Sequence, residues 1–384
     1  MKILIVSDEI THPSTAGNRQ WILAQSNLLM ELGHEVHFLY IKKKSLRSKH
    51  SIDETEAKKF WAEKFHVLDT GRLGGLRYAF FLQLRQRFCK GYFKCDDMYV
   101  AKLTKTVEML NEEHGFDAVF VNYYWLSKLF LKTKIPLRVL CTHDCFSFKD
   151  LKGGKNAWMC TSANEEAKAL QRCDVVLGLQ QDESTYFSYL APLSKVYTVY
   201  CPYKYYAQPI AGNHNIMFLS GPNGYNLEGL NWFVDEILPL IKERYADAKL
   251  IIGGGVCKVL TRLKGRTDVE LLGFVNDPYE FWARGDVAIN PTFRGTGLKI
   301  KTFEAISFDK VVMVHPHSAV GIFKCDSAPL FASENPQKWA DFISKVWSSC
   351  GEIESIKSKN CQYIENLNGY IREQFKEMLN CCDK

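Results

Sequence analysis

Residues 286–305, DVAINPTFRGTGLKIKTFEA, contain in order a short apolar run, a loop with two glycines and a segment long enough for a helix. The apolar run, DVAINP (286–291), is typical of a strand that is buried on both faces of a sheet. We predict a helix from about residue 297, directly after the glycines. The order of strand, loop and helix indicates one unit of a parallel α/β sheet.

The same order recurs along the chain. Strand-like runs in the first half are ILIV (3–6), EVHFLY (35–40), AVFVNYY (118–124), RVLCTH (138–143) and DVVLGL (174–179). In the second half they are NIMFLSG (215–221), KLIIGGG (249–255), VELLGFV (269–275) and VVMVHPH (311–317). Helical segments lie between them, at about 19–32 and 227–244 among others. The pattern predicts an α/β protein of two doubly wound, Rossmann-like domains that face each other across a ligand cleft.

The polar stretch YKYYAQPIAGNHN (203–215) separates the two blocks. We therefore place the N-terminal domain at 1–205, the C-terminal domain at 206–362 and a terminal segment at 363–384. Two domains agree with the length of 384 residues, since a domain usually has roughly 100–200. Residues 42–100 do not follow the alternation, and we interpret them as a basic helical insertion in the first domain.

The composition limits the class of protein. It is 46% hydrophobic and 24% charged with a net charge of +6, which is ordinary for a globular protein and does not require a nucleic-acid partner. No apolar run approaches the roughly 20 residues that span a bilayer, and MKILIVSDEI is too short for a signal peptide. Thirteen scattered cysteines indicate reduced thiols in a cytoplasmic protein. We do not expect zinc at Cys141, His143 and Cys145, because no second cluster follows.

The insertion has two interpretations. LRYAFFLQLRQRFCKGYFK (76–94) has apolar residues at helical spacing with basic residues around them, and KKKSLRSKH (42–50) adds positive charge. It is either a helix that packs on its own domain or a basic amphipathic surface. Such a surface would bind an anionic membrane or a lipid-linked acceptor and place the protein on the inner face of the membrane.

The loop GTGLKIK (295–301) indicates a phosphate site. Gly295 and Gly297 allow close approach of the backbone to a ligand, and a helix start leaves N–H groups free. Lys299 and Lys301 add charge of the wrong sign for the helix dipole, which suggests that an anion lies there. Glu304 lies one turn further on the same face, where a carboxylate can accept a hydrogen bond from a ribose diol. The alternative is a surface ion pair between Lys301 and Glu304, worth a few tenths of a kcal/mol.

Other strands also end in polar residues or glycines, and ligands of such sheets bind beyond the carboxyl ends of the strands. His143 follows RVLCT and precedes Asp144; it is either a buried core histidine or a residue of the site. Glycine turns at Gly221 and Gly273 follow two strands of the second block, and Gly17, Asn18 and Arg19 begin the first helix. His315 and His317 are expected to shape a loop, and His317 to help line the cleft.

These segments resemble the GT-B-fold nucleotide-sugar glycosyltransferases, in particular the retaining enzymes of glycosyltransferase family four (glycosyl transferases group one). The resemblance covers nearly the whole chain. It is carried by MKILIVSDE (1–9), THD (142–144), FLSGPNGYNLEGLNWFVDEILPLI (218–241) and, most strongly, GTGLKIKTFEAISFDKVVMVHPHSAVGI (295–322). It implies that the last helix, near 363–380, crosses back to the first domain.

The resemblance implies a role for each matching residue. Lys299 and Lys301 would hold the donor diphosphate, Glu304 would bind the ribose hydroxyls, and His143 would lie at the reacting sugar. These four form the implied catalytic set. Residues implied in donor binding are Gly221, Asn223, Phe274, Val275, Thr296, Gly297, Leu298 and Ile300, with the nucleobase edge near Phe274 and Val275. Gly17, Asn18 and Arg19 would border the acceptor and the phosphates.

One position departs from the family. Many members have a glutamate eight residues before the position of Glu304, and this chain has Thr296 there. Members with the Lys-x-Lys version also lack that glutamate, so activity is compatible with the change, whereas the contact to the sugar hydroxyls is expected to differ.

The implied reaction moves a sugar from a UDP- or GDP-linked donor to a hydroxyl of a glycan or lipid-linked acceptor, in the synthesis of a polysaccharide, lipopolysaccharide or glycolipid. Lysines and helix N–H groups would stabilise the leaving diphosphate, so no metal or other cofactor is expected. Retention of configuration is implied by the resemblance alone. The alternatives are a catalytically silent nucleotide-sugar-binding subunit, which Thr296 suggests, and a sugar-nucleotide 2-epimerase. The epimerase would need several acid–base residues, and only His143 and Asp144 are candidates.

Overall fold

The computed structural model describes residues 1–14, 16–42, 53–71, 80–81, 83–85, 87–88, 92–149 and 159–380. The chain divides into two compact units. Met1–Pro202 and the described residues from Ile371 onward form the first, and Tyr203–Tyr370 forms the second. The division between Pro202 and Tyr203 lies three residues before the boundary that we placed after residue 205, and the return to the first unit lies eight residues after residue 363.

The first unit has a seven-stranded sheet in which all neighbouring strands are parallel. The strands are β1 (Lys2–Ser7), β2 (Glu35–Lys42), β3 (Phe65–Asp69), β4 (Ala118–Asn122), β5 (Leu137–Cys141), β6 (Val175–Gly178) and β7 (Lys195–Thr198). Their order is β3-β2-β1-β4-β5-β6-β7. The order reverses between β1 and β4, so the loops after these two strands diverge and leave room for a ligand between them.

The helices of the first unit cover this sheet. They are α1 (Gly17–Glu31), α2 (Thr55–Trp61), α3 (Lys102–His114), α4 (Ala163–Leu170) and α5 (Gln181–Leu190). Short 3-10 turns follow α2 at Ala62–Lys64 and β4 at Tyr124–Leu131. The central strands are buried at nearly every position, which is why they appear in the sequence as uninterrupted apolar runs.

The second unit repeats the architecture with a six-stranded parallel sheet in the order β10-β9-β8-β11-β12-β13. Its strands are β8 (Asn215–Leu219), β9 (Lys249–Gly253), β10 (Val269–Gly273), β11 (Val287–Asn290), β12 (Val311–Val314) and β13 (Leu330–Ala332). The order reverses between β8 and β11. The loops after these two strands therefore flank the position at which such a sheet binds its ligand.

The helices of the second unit are α6 (Gly224–Trp232), α7 (Leu238–Lys242), α8 (Pro278–Trp282), α9 (Ile300–Ser307), α10 (Pro316–Ala319), α11 (Pro336–Trp347) and α12 (Cys350–Asn380). A π-helical turn, Phe233–Ile237, joins α6 to α7, so the segment predicted as one helix at 227–244 has three parts. Helix α12 is continuous over 31 residues, although its residues from Ile371 onward belong to the first unit.

The sequence patterns do not predict β3, β7 and β13, which all lie at an edge of their sheet. In β3 only Leu68 is buried, in β7 only Thr198, and in β13 no residue is fully buried. An edge strand has a neighbour on one side only and does not need a continuous apolar run. Strand β3 corrects the prediction that residues 42–100 are a helical insertion, because it extends the parallel sheet beyond β2.

Much of the predicted basic surface, including residues 43–52, 72–79 and 89–91, lies outside the described residues. In the described part, residues 80–81, 83–85 and 87–88 are helical. Phe80 and Phe88 are 61% and 71% exposed, whereas Arg85 donates to Asp97 at 2.7 Å. Part of the apolar face is thus exposed and part of the positive charge is paired. Among the described helices, none has the length and apolar character needed to cross a bilayer.

Candidate functional site

The ammonium group of Lys301 lies at the carboxyl ends of β8 and β11, where the strand order of the second unit reverses. It donates to Asn226 Oδ1, lies 3.4 Å from Ser220 Oγ, and sits over the ring of Phe218 with its Nζ 5.1 Å from the ring centroid. Asn226 also donates to Ser220 Oγ. A polar pocket therefore surrounds the ammonium of Lys301. It is formed by helix α9, the loop after β8 and helix α6.

Burial perturbs the two charged groups of this pocket in opposite directions. It lowers the pKa of Lys301 to about 7, with the positive charge of Lys299 as a smaller cause. It also raises the pKa of the Glu304 carboxyl to about 7, against the opposing effects of Trp282 and Lys301. Each charged form is destabilised because little water reaches it. Strongly perturbed groups at the carboxyl edge of a parallel sheet are typical of a functional site.

The loop between β11 and α9 differs in two details from the prediction. Helix α9 begins at Ile300, three residues after Gly297, because the glycines hold the preceding backbone in left-handed conformations with φ of 108° at Gly295 and 74° at Gly297. Lys299 donates to the carbonyl groups of Thr296 and Gly297, both at 3.1 Å. The ammonium of Lys299 is thus oriented onto its own loop, whereas that of Lys301 points into the pocket.

Two neighbours hold this loop in place. A Cβ added to Gly295 would lie 2.9 Å from the ring of Tyr225, so only glycine fits there. His317 Nε2 lies 3.2 Å from the Gly295 carbonyl oxygen, and the His315 side chain accepts from the backbone N–H of His317 at 3.1 Å. Both histidines shape the loop by these contacts.

The remaining residues implied in donor binding lie around the same sheet edge. Gly221 is exposed, and a Cβ added to it would meet no atom within 4 Å. Asn223 is the N-cap of α6, where its side chain accepts from the backbone N–H of Asn226 at 2.8 Å. Phe274 is 71% exposed directly after β10, beside the partly buried Val275.

His143 lies at the carboxyl end of β5 in the first unit, and its ring orientation is fixed on two sides. It stacks on Tyr123, with ring centroids 4.1 Å apart, and contacts the edge of Trp21 at 5.0 Å. Its Nε2 lies 2.8 Å from Asn122 Oδ1, and the Asn122 amide donates to the Val6 carbonyl, so His143 Nε2 carries the proton. Burial lowers the pKa of His143 to about 3, so the imidazole is neutral with its lone pair on Nδ1.

The residues at the start of α1 connect to the same cluster. Gly17 is the first residue of α1, Asn18 Nδ2 donates to the Tyr123 hydroxyl at 2.8 Å, and Arg19 Nε donates to Glu9 at 3.2 Å. Trp125 stacks on the other side of Tyr123 at 4.4 Å and donates to Asp8 at 2.9 Å. The structure thus brings Asn18 and His143 to the same tyrosine, while Arg19 is paired with a carboxylate.

Several residues of both clusters are not predicted from the sequence: Asn122, Tyr123, Trp125, Ser220 and Asn226. A signal exists for most of them, since Asn122 ends β4, Tyr123 follows it, and Ser220 follows β8. Polar residues at these positions are candidates by the same rule that selected His143. Asn226 lies inside a helix, and only the fold shows that it reaches Lys301.

The comparisons with known proteins agree with this architecture. Residues 213–349 match the family model described as "Glycosyl transferases group 1". A 44.6 kDa protein in the cps region of Klebsiella pneumoniae is 26% identical over 340 residues, which cover 79% of this chain and 80% of the relative.

Two solved structures are similar over nearly their whole length. TarM of S. aureus superposes with a TM-score of 0.68 at 11% identity and covers 99% of this chain and 98% of its own. HepE of Anabaena in complex with UDP gives a TM-score of 0.65 at 14% identity and covers 98% of this chain and 100% of its own.

The two parallel sheets match the GT-B fold of these glycosyltransferase structures, and together with the family match of the second unit they indicate an enzyme that transfers sugars. Within that class, the sequence of its second unit is similar to the glycosyl transferases of group 1, whose family model matches residues 213–349.

Proposed function

We propose that the second unit binds a UDP- or GDP-linked sugar and that its diphosphate lies against Lys301. The observation that carries this proposal is the partly buried ammonium of Lys301, whose pKa is lowered to about 7 at the reversal point of the sheet. Within the described part of the chain no carboxylate forms an ion pair with this ammonium, and a phosphate ligand would offset the cost of its desolvation. The donor type also agrees with the similar HepE structure, which contains UDP.

The other residues of the pocket complete the proposed donor site. Glu304 lies one helical turn beyond Lys301 and would accept hydrogen bonds from the ribose hydroxyls in its ionised form. The exposed Phe274 and Val275 would contact the nucleobase, and Gly221 would leave space for the diphosphate. Lys299 would hold the glycine loop in shape through the carbonyl groups of Thr296 and Gly297, so its contribution to the phosphate would be smaller than that of Lys301.

The chemical step that we propose breaks the anomeric C–O bond, and the leaving diphosphate takes up negative charge. Lys301 and the positive end of the α9 dipole would stabilise that charge as it develops, without a metal ion. The N–H groups of Ile300 and Thr302 would contribute less than the sequence predicts, because they already donate to the carbonyl groups of Leu298 at 3.0 Å and Lys299 at 2.9 Å. The leaving phosphate would accept the proton of the attacking hydroxyl. Retention of configuration follows from the family resemblance alone.

In the first unit, we propose that His143 positions the transferred sugar and that the start of α1 borders the acceptor. Because the imidazole is neutral and its Nε2–H donates to Asn122, Nδ1 would accept a hydrogen bond from a sugar hydroxyl. A pKa of about 3 is too low for a general acid near neutral pH, so the proposed role of His143 is orientation.

The acceptor that we propose is a glycan or lipid-linked saccharide in polysaccharide synthesis, because the Klebsiella relative is a protein in the cps region. The exposed Phe80 and Phe88, beside Arg87, suggest contact with an anionic membrane surface from the cytoplasmic side. Sedimentation with anionic and with neutral vesicles tests this contact. Equal recovery in the supernatant would contradict it.

A donor screen tests the central proposal. The purified chain is titrated with UDP, GDP, ADP and inorganic diphosphate, and binding is measured by calorimetry and by the shift in melting temperature. We expect one uridine or guanosine diphosphate to bind clearly more tightly than ADP or diphosphate, and its sugar conjugates then to support transfer in a product assay. If none of the nucleotides binds, the donor site is not at Lys301.

A further inference from the structure

Three histidines from distant parts of the sequence form a cluster in the first unit. His37 lies near the start of β2, His66 near the start of β3, and His114 is the last residue of α3. The ring centroid of His37 lies 4.6 Å from that of His114 and 5.3 Å from that of His66. The centroids of His66 and His114 are 5.4 Å apart. One nitrogen from each ring lies within 4.8 Å of the other two.

A carboxylate fixes the tautomer of the central histidine. His37 Nε2 lies 2.9 Å from Glu35 Oε1, and a carboxylate only accepts, so the proton of His37 is on Nε2. Its Nδ1 lone pair then faces His66 Nε2 at 3.0 Å. A histidine that donates one ring N–H to a carboxylate and offers the other nitrogen is the usual arrangement of a metal-binding histidine.

We propose that His37, His66 and His114 bind one divalent transition-metal ion of the kind that prefers imidazole, with Zn²⁺ as the first candidate. Two nitrogens that bind the same tetrahedral zinc, each at about 2.0–2.1 Å, are roughly 3.3 Å apart. The 3.0 Å between His37 Nδ1 and His66 Nε2 is already close to that value. Imidazole suits Zn²⁺, Co²⁺, Ni²⁺ and Cu²⁺, whereas Mg²⁺ and Ca²⁺ prefer oxygen ligands.

Two small adjustments complete the site. The His66 proton moves from Nε2 to Nδ1 by exchange with water, so that Nε2 offers its lone pair to the metal. The His114 ring moves toward the other two; its side chain is 23% exposed at a helix end, where such movement is least restricted. A water molecule or Glu113, whose Oε1 lies 3.7 Å from His114 Nε2, would be the fourth ligand.

The charges around the cluster have both signs. The cluster lies at the C-terminal end of α3, where the helix dipole is negative, and the carboxylates of Glu35 and Glu113 adjoin it. The ammonium groups of Lys2, 3.6 Å from Glu35, and of Lys64 oppose a cation in part.

The site lies at the amino ends of the strands, whereas His143 lies at a carboxyl end, so the metal has no part in sugar transfer. It would tie the edge strand β3 to β2 and α3, which makes its role structural.

The test uses the full chain without a polyhistidine tag, stripped of metal with a chelator and then titrated with Co²⁺ and with Zn²⁺. We expect one equivalent of Co²⁺ to bind with a visible absorption band, Zn²⁺ to displace it, and the melting temperature to rise with Zn²⁺. His66→Asn and His114→Asn should each lower the metal affinity at least tenfold. The matched control is His214→Asn, which removes a histidine paired with Asp247 in the second unit and should leave metal binding unchanged.

If the wild-type protein binds neither Co²⁺ nor Zn²⁺ in a stoichiometric amount, the proposal is wrong. Equal binding by the wild type and both cluster variants would also overturn it. If His66→Asn does not fold, His114→Asn at the exposed helix end gives the comparison.

Discussion

The imidazole of His143 stacks on the phenol ring of Tyr123, with the ring centroids 4.1 Å apart and the planes inclined by 18°. Tyr123 is itself held by the stacked ring of Trp125 and by a hydrogen bond from Asn18. His143 also has a positive φ of 66°, which most residues avoid. The position of this histidine is therefore set by its neighbours before any ligand binds, as expected for a residue that orients a substrate.

The first prediction concerns this orientation. His143→Asn should lower kcat ten- to hundredfold while the affinity for nucleotide stays unchanged, because the nucleotide is proposed to bind the second unit. Asparagine tolerates the positive φ, so the backbone is preserved. Steady-state kinetics and calorimetry with the nucleotide measure the two effects. The control is His34→Asn in the same unit, which replaces a partly buried histidine beside the N-terminal ammonium. A His143→Asn enzyme with the wild-type kcat would refute the role.

The second prediction concerns Lys301. Lys301→Met keeps most of the length of the side chain but removes the charged ammonium, so the affinity for UDP or GDP should fall at least tenfold. Isothermal titration calorimetry measures the change. Lys338→Met replaces an exposed lysine of α11 in the same unit and should bind like the wild type. Loss of affinity in both variants would point to general electrostatics instead of a contact at Lys301.

The third prediction is a pH dependence. The pKa of Lys301 is about 7 in the free protein, and a bound diphosphate should raise it, so binding takes up a proton above pH 7. Nucleotide affinity should therefore fall as the pH rises from 7.5 to 9, by up to about tenfold per pH unit. The phosphates of the nucleotide are almost fully ionised throughout this range, since the second pKa of a phosphate is about 6.

The control for this pH profile is Lys301→Met, which should bind weakly and with a flat profile. Glu304→Gln should retain the wild-type slope above pH 7.5, since the pKa of Glu304 is about 7 and its carboxyl is already largely ionised there. A wild-type affinity that is constant over the range would contradict the proposed contact.

The fourth prediction compares two glycines of the donor site. Gly221→Ala should leave the melting temperature unchanged, because the added methyl meets no protein atom within 4 Å, but should weaken nucleotide binding if the diphosphate approaches there. Gly295→Ala should lower the melting temperature by several degrees, because φ is 108° and the methyl would contact the Tyr225 ring. Differential scanning fluorimetry with and without nucleotide separates these effects. If both variants change the melting temperature and nucleotide binding to the same extent, the two glycines do not have these different roles.

The fifth prediction concerns the stability of the second unit. Asp286 is fully buried, and its carboxylate accepts from the backbone N–H groups of Ala211 at 3.0 Å and Gly212 at 2.9 Å. Asp286→Ala should lower the free energy of unfolding by about 2–4 kcal/mol, because both N–H groups lose their partner. Urea denaturation measures the change, and the exposed Asp326→Ala should have almost no effect. A small loss for Asp286→Ala would mean that water replaces the carboxylate.

Much of the fold could be predicted from particular segments. ILIV and VVMV are continuous apolar runs because β1 and β12 are buried in parallel sheets, and this reveals both doubly wound units. The edge strand FHVLD has no such run and could not be predicted, because it is partly exposed. The sequence pattern also did not predict that α9 begins as late as Ile300. The helix begins there because Gly295 and Gly297 adopt left-handed conformations before it.

The residues of the candidate site could also be predicted only in part. Lys299, Lys301 and His143 could be selected because each follows a predicted strand, and their chemistry is local. That Lys301 points to Asn226 while Lys299 turns onto its own loop depends on side-chain packing, which spacing does not encode. The stacking of Tyr123 on His143 likewise depends on packing and could not be predicted from spacing.

Local patterns in the sequence predict the alternation of strands and helices, the two sheets and the positions where ligands of such sheets bind, because burial and turn chemistry act on neighbouring residues. Which polar groups meet depends on the packing of distant segments. His37, His66 and His114 are 29 and 48 residues apart along the chain and share no motif. They meet because β2 and β3 pair in parallel and α3 ends beside them, and such long-range contacts depend on the packing of the whole unit.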